Sequence, residues 1–181
     1  MNLKERKTAV FFTGFVIIIF VWLVMFIGEL SAFSLTKSAL LITLSYIAMV
    51  IDINTKRIPN KLVLIMITGW LVLMSSMLLY DIEAGILLLA DSIFGLLIGG
   101  GLFLLVYLIS RKGLGGGDVK FMAAVGLYLG FSETVPAILY GTVLAALVGL
   151  VLILLKKIGR KDTMPLAPFL FAGIMITVFT K

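Results

Sequence analysis

The stretch from Ala84 to Ile109 reads AGILLLADSIFGLLIGGGLFLLVYLI and decides the fold class of this chain. Asp91 is the one charged residue in a run longer than the roughly 20 apolar residues that cross a bilayer as a helix. The rest of the chain has the same character, because 62% of its 181 residues are hydrophobic and only 13% are charged. A soluble domain of this size could not bury so much apolar surface. The composition therefore predicts an integral membrane protein built from helices.

Apolar runs near membrane-spanning length recur along the whole chain and predict an all-α, polytopic bundle of about seven transmembrane helices. The predicted helices are Ala9–Ile27, Leu35–Ile51, Leu62–Leu79, Ala84–Ile109, Val119–Leu129, Thr134–Leu155 and Pro165–Phe179. The fifth is short for a full crossing, so it is tilted, buried among its neighbours or begins deeper than placed here. The first run exceeds an ordinary signal-peptide core and lacks an Ala-x-Ala cleavage signal, which favours an uncleaved helix. We divide the single membrane domain into an N-terminal helix with its outer loop, 1–34, and a core, 35–181.

The basic residues predict the orientation of the bundle. Of the 15 lysines and arginines, all but Lys37 and Lys181 fall on one predicted side of the membrane. By the positive-inside rule this side is cytoplasmic and includes the N-terminus. The expected location is therefore the cell membrane, with the bilayer as a partner. The net charge of +6 is explained by topology, and no soluble basic face is present that would predict a nucleic-acid partner.

The chain contains neither cysteine nor histidine. Disulfides, cysteine-bound metal centres and nucleophilic catalysis with a histidine base are therefore excluded. Any chemistry must use carboxylates, hydroxyls, lysines or backbone groups. We expect no cofactor and no metal.

Two aspartates beside predicted helices are the candidate functional groups. Asp52 opens the segment DINTKRIPN after the second helix, and Asp118 stands near the end of GLGGGDVK, before the fifth. A carboxylate near hydrocarbon is costly unless it faces water, a partner or a substrate. Because two crossings separate them, both should reach the cytoplasmic end of the bundle. The alternative is that each is a solvated loop acid neutralised by Lys56, Arg57 or Lys120.

The sequence around each aspartate adds detail. Pro59 stops any continuation of the second helix, and Asn60 is expected to cap the third. The glycines of GLGGGD allow close approach of backbone to backbone or substrate before Asp118. A phosphate-binding loop is disfavoured because GxxxxGK[ST] is absent, whereas a flexible turn remains an alternative.

Both segments resemble the motifs of type IV prepilin peptidases, the GxGD class of intramembrane aspartyl proteases. That family pairs a D-x5-IPN segment with GxGD-x-K, and the likeness extends from about residue 35 to 179, including PLAPF at 165–169. The matching residues are Asp52, Ile58, Pro59, Asn60, Gly115, Gly117, Asp118 and Lys120. The resemblance implies that Asp52 and Asp118 are catalytic and that Gly115, Gly117, Lys120, Pro59 and Asn60 support the loops or the substrate. It also implies a prepilin-like or pseudopilin substrate, cut after a glycine that follows a short basic leader.

The chain departs from many bacterial members in lacking their cysteine-rich segment, which is linked to N-methylation of the product. The resemblance is therefore to a minimal, peptidase-only form, and methyl transfer is not expected. Lys120 is a modulator of the loop or, as we prefer, an anchor that sets topology.

Two other classes of function remain open. A magnesium-dependent membrane phosphotransferase also uses aspartates at the cytoplasmic face, but such sites usually combine more acids with basic residues. A proton-coupled transporter or a non-catalytic membrane component would use the carboxylates to carry protons. Asp91 is expected at the outer interface rather than as a buried partner, Tyr128 in an interfacial aromatic belt, and Gly99–Gly101 at a close helix contact.

Overall fold

The computed structural model describes residues 32–110, 113–157, 159 and 164–180. Every regular element in these ranges is a helix, which confirms the all-α class for this part of the chain. The helices are α1 Ala32–Thr55, α2 Asn60–Tyr80, α3 Ile82–Ile109, α4 Gly116–Leu154 and α5 Ala167–Phe179. The predicted helix Ala9–Ile27 lies outside the described residues, as does most of the segment 1–34.

The first three helices are joined by short connections. Four residues, 56–59, link α1 to α2, and Asp81 alone separates α2 from α3. The Asp81 carboxylate accepts a hydrogen bond of 3.0 Å from the backbone N–H of Ala84, which caps the start of α3. These tight connections make sequential helices neighbours in the bundle.

Helix α4 folds back on itself at Gly130, where φ is 77° and ψ is −174°. Non-glycine residues rarely adopt such a conformation. A Cβ placed on Gly99 of α3 would meet the carbonyl of Met122 and lie 3.4 Å from Thr134 Cγ2. In a straight helix Met122 and Thr134 would be about 18 Å apart, so the two halves of α4 must lie side by side. They correspond to the predicted helices 119–129 and 134–155, so one of the five helical elements in the described residues, α4, consists of two helical halves joined at the non-helical Gly130.

The first half of α4 is the centre of the bundle. Phe121, Met122 and Val125 are fully buried, and Tyr128 is only 1% exposed. Of the alternatives for this short segment, burial among neighbouring helices is correct. The interfacial position expected for Tyr128 is wrong, because its hydroxyl donates a buried hydrogen bond of 2.7 Å to the carbonyl of Met66 in α2.

Small residues allow α3 and α4 to approach closely. A Cβ on Gly95 would meet the carbonyl of Gly126, so the two backbones are in contact at this point. The expected close contact at Gly99–Gly101 is confirmed for Gly99 and for Gly100, where a Cβ would lie 2.9 Å from that of Ala123. At Gly101 no atom of the described residues lies within 4 Å of such a Cβ.

The outer surface of the helices is apolar. Helices α1 to α4 are each long and apolar enough to cross a membrane, while α5 is a shorter apolar helix of 13 residues. Large aliphatic side chains that are more than half exposed include Leu64, Leu71, Leu87, Leu97, Leu108 and Leu150. An apolar exterior on helices of this length belongs in a bilayer, and the protein is a multi-pass membrane protein.

Candidate active site

Asp52 lies in the last turn of α1 and is buried, with only 4% of its surface exposed. Its Oδ2 accepts a hydrogen bond of 3.0 Å from the backbone N–H of Ala167, the first residue of α5. The helix ends after Thr55 because Lys56 takes a left-handed conformation, with φ 52°. Asp52 is therefore held between the end of one helix and the start of another, where the positive end of the α5 dipole favours a carboxylate.

Asp118 lies in the first turn of α4. Gly115 is the N-cap of this helix, and the Asp118 Oδ2 accepts a hydrogen bond of 3.2 Å from the Gly115 backbone N–H. This is the reciprocal half of a capping box, in which the third helical residue binds the N-cap N–H. A Cβ on Gly115 would lie only 2.8 Å from the same oxygen. The carboxylate can thus reach its own N-cap because residue 115 has no side chain.

The structure brings the two aspartates together in one cavity of about 360 Å³. The two carboxylates are close enough for their charges to interact. The lining residues are Asp52, Lys56, Arg57, Ile58, Asn60, Gly115, Gly116, Gly117 and Asp118. The segments DINTKRIPN and GLGGGDVK, far apart in sequence, therefore form opposite walls of a single site.

Two contacts join these walls directly. A Cβ on Gly117 would lie 3.1 Å from the carbonyl oxygen of Ile58, so the two loops meet backbone to backbone. Lys120 Nζ donates a hydrogen bond of 3.0 Å to Asn60 Oδ1. The preferred interpretation of Lys120, an anchor that only sets topology, omitted this contact.

The structure corrects the expectation for Asn60. Pro59 holds the N-cap position of α2 in an extended conformation, with φ −72° and ψ 138°, and no side chain caps this helix. Asn60 is the first helical residue instead, and its side chain turns to Lys120. Pro59 was expected to stop the preceding helix, which already ends at Thr55; it takes the N-cap position of α2, one residue before the expected cap.

The sequence analysis did not identify Ala167 as the hydrogen-bond donor to Asp52, because the donor is a backbone N–H and the alanine side chain gives no indication of it. The signal was the pair of prolines at 165 and 168, which lack an N–H and flank this residue. The carbonyl of Leu166 already accepts from the N–H groups of Phe169 and Leu170. Because Ala167 is the first residue of α5, its N–H has no acceptor inside its own helix and can bind Asp52.

Asp91 does not line the cavity that holds Asp52 and Asp118, and its carboxylate has a partner elsewhere. Its Oδ1 accepts a hydrogen bond of 3.0 Å from the backbone N–H of Phe131, just after the fold at Gly130. The expected position of Asp91 at the outer interface stays a prediction, and the structure adds a backbone partner for its carboxylate. Asp91 caps the second half of α4 from the neighbouring helix.

Among the residues that the structure describes, no group of three or more acidic side chains is placed to hold a metal ion. Paired carboxylates in a half-enclosed cavity can instead move protons to and from water and a bound carbonyl. The fold and this pair define a polytopic helical membrane protein with a dicarboxylate site at one end of the bundle.

Comparison with known proteins assigns the family. The sequence profile of the type IV leader peptidase family matches residues 39–150, which contain both aspartates, and the chain belongs to this family. It is 29% identical over 141 residues to a prepilin leader peptidase/N-methyltransferase of Aeromonas hydrophila, covering 75% of this chain and 46% of the relative. Proteins of the same description are 28% identical in Bacillus subtilis (strain 168), over 78% of the chain and 54% of the relative, and 31% identical in Escherichia coli (strain K12), over 71% and 56%.

The similarity to these relatives covers only part of their length. The chain spans about half the length of the curated relatives it matches. No solved structure matches it significantly. Family membership is thus carried by the sequence.

Proposed function

We propose that the protein is a membrane aspartyl endopeptidase that removes the short basic leader of type IV prepilin-like proteins, cutting after a glycine. The observation that supports this most strongly is the placing of Asp52 and Asp118 in one cavity. Each comes from one of the two motifs on which the resemblance rests. The names of the relatives support the class of substrate.

The proposed reaction is general acid–base hydrolysis without a covalent intermediate. Two close carboxylates cannot both ionise cheaply, so the pair holds one shared proton. The ionised carboxylate takes a proton from water as the water oxygen attacks the scissile carbonyl carbon. The protonated carboxyl donates its hydrogen bond to the carbonyl oxygen and stabilises the developing negative charge.

Collapse of the tetrahedral intermediate then breaks the C–N bond, and the leaving nitrogen receives a proton from the pair. The two aspartates titrate as a unit, so the roles of acid and base belong to the pair. Activity should pass through a maximum with pH. At low pH no base remains, and at high pH no acid remains.

The proposed orientation places this cavity at the cytoplasmic face. Lys56 and Arg57 line the cavity, and Lys61 and Lys120 are the second and fifth residues of the adjacent helices α2 and α4. Basic residues concentrate on the cytoplasmic side of membrane proteins. A substrate with a cytoplasmic leader and a membrane-spanning helix would present its junction at this depth.

The methyl transfer named for the relatives is not part of the proposal. The motifs of this site concern hydrolysis, and the sequence contains no cysteine.

The test is cleavage in liposomes of a prepilin-type peptide with a basic leader, a glycine–phenylalanine junction and an apolar helix. We expect one cut after the glycine, insensitive to EDTA and lost in both Asp52→Asn and Asp118→Asn. Asp91→Asn is the matched control, because it removes a carboxylate outside the cavity while keeping an oxygen that can accept the Phe131 N–H. Cleavage that survives both catalytic substitutions would remove the pair from the mechanism, and loss of cleavage in EDTA would indicate a metal-dependent reaction.

A further inference from the structure

A second cavity of about 390 Å³ is lined in part by Leu114, the sequence neighbour of Gly115 in the dicarboxylate cavity. Its walls are formed by helix α3, by the second half of α4, and by Leu114 and Leu166, which lie just before α4 and α5. The lining residues are Leu102, Phe103, Val106, Leu114, Ile138, Thr142, Ala145 and Leu166. All but Thr142 are apolar, and the Thr142 hydroxyl donates to the Ile138 carbonyl of its own helix at 2.7 Å. The cavity therefore offers little to a polar ligand.

Two lining residues connect this cavity to the carboxylates. Leu114 directly precedes Gly115, whose N–H binds Asp118. Leu166 directly precedes Ala167, whose N–H binds Asp52. A chain that is bound between the carboxylates has the apolar cavity within reach of the next few residues.

The cavity also opens to the side of the bundle. Phe103 is 4% exposed and forms its inner wall, whereas Leu102 and Val106 on the same helix are 43% and 52% exposed. These two residues face outward from a helix that is apolar enough to span the membrane. The entrance thus faces the bilayer, and an occupant that is already embedded in lipid can reach it.

We propose that this cavity binds the apolar segment of the substrate that immediately follows the scissile bond, entering sideways from the bilayer. The inference rests on the proposed function. The volume of the cavity falls in the range of about 300–1,000 Å³ that is typical of ligand sites. Lipid tails are as apolar as leucine, so packing in the cavity gives little net affinity. Its effect is to fix the position of the segment relative to Asp52 and Asp118, which sets the bond that is cut.

Cysteine crosslinking tests this docking without depending on catalysis. The chain contains no cysteine, so a single introduced thiol has no background. Ala145→Cys places the thiol in the cavity wall, and Ala146→Cys places it at the next position, which is exposed outside the cavity. Both are made in Asp52→Asn, so that the peptide is bound without being cut. The prepilin-type peptide carries one cysteine at successive positions after the glycine.

We expect Ala145→Cys to crosslink several times more efficiently than Ala146→Cys, and only with peptide positions near the cut. Equal yields from both variants at every peptide position would indicate random encounter in the membrane and overturn the proposal. No crosslink at Ala145→Cys, with the same peptide cut by the wild-type protein, would overturn it too, because a lipid chain or another part of this protein would then fill the cavity. Crosslinking without wild-type cutting would support the docking and contradict the proposed chemistry.

Filling the cavity gives an independent readout. Ala145→Phe should lower kcat/KM by roughly tenfold or more, because displacement of the segment misplaces the scissile bond. Ala146→Phe adds the same bulk outside the cavity and should leave kcat/KM unchanged. Unchanged cleavage by Ala145→Phe at the same site would contradict a positioning role for the cavity.

Discussion

Lys120, two residues beyond Asp118, donates a hydrogen bond of 3.0 Å to Asn60, the first residue of α2. The bond joins the helix that carries one catalytic candidate to the segment that follows the other. Because both residues are exposed, its contribution to the free energy of unfolding should be about 1 kcal/mol or less. We expect its larger effect to be on the relative position of the two walls of the cavity.

We therefore expect Lys120→Met and Asn60→Ala each to lower kcat/KM by roughly tenfold, with the double variant no worse than either single one. Strong non-additivity is the sign that the pair acts as one contact. Lys61→Met is the matched control, since it removes a neighbouring exposed lysine of the same basic segment. If Lys120 serves only as a topology anchor, the losses of activity in the two single variants will add in the double variant. The loss in Lys120→Met will then be proportional to the loss of membrane-inserted protein.

The glycines before Asp118 differ in what a methyl group would meet. In Gly115→Ala the new Cβ would lie 2.8 Å from Asp118 Oδ2 and push the catalytic carboxylate away, so activity should fall while stability changes little. In Gly117→Ala it would lie 3.1 Å from the Ile58 backbone, so both activity and stability should fall.

Gly116→Ala is the internal control of this series, because no described atom lies within 4 Å of the added Cβ. It should retain activity, whereas a loop that works through flexibility would lose activity in all three variants. Peptide cleavage and thermal unfolding in detergent, measured on the same preparations, separate the two kinds of effect.

The backbone contact between Gly95 and Gly126 should contribute to the stability of the fold. A Cβ at either position would meet the backbone of the other helix, so Gly95→Ala and Gly126→Ala should each cost about 1–3 kcal/mol. Gly101→Ala, on the same helix, should cost nothing, because the described residues leave the space around it open. Helix propensity alone would make each Gly→Ala change stabilising by roughly 1 kcal/mol, so an equal gain, or an equal loss, of thermal stability in all three variants would contradict a specific role of the close contact.

The sequence predicted the parts of the fold that depend on side-chain pattern. Apolar runs located the helices, and proline and glycine located the connections. These signals left residues 130–133 as a gap between two predicted helices. They could not show that the break is at Gly130, because a single residue with positive φ has no sequence pattern. Asp52 and Asp118 were found by their charge, whereas the N–H of Ala167 that binds Asp52 is a backbone group without a side-chain signal. Long-range partners such as Met66 for Tyr128 follow from packing and could not be predicted from local sequence.

Asp91 tests whether an intramembrane carboxylate has to be functional. Its hydrogen bond to the Phe131 N–H caps the returning half of α4, and loss of such a cap typically costs about 1 kcal/mol. Asp91→Ala should therefore lower thermal stability by about this amount, whereas Asp91→Asn keeps an oxygen acceptor and should remain near the wild-type value. Both variants should cut the peptide at the wild-type rate per folded molecule. A proton-carrying role predicts the opposite pattern, in which Asp91→Asn is inactive although it is as stable as the wild type.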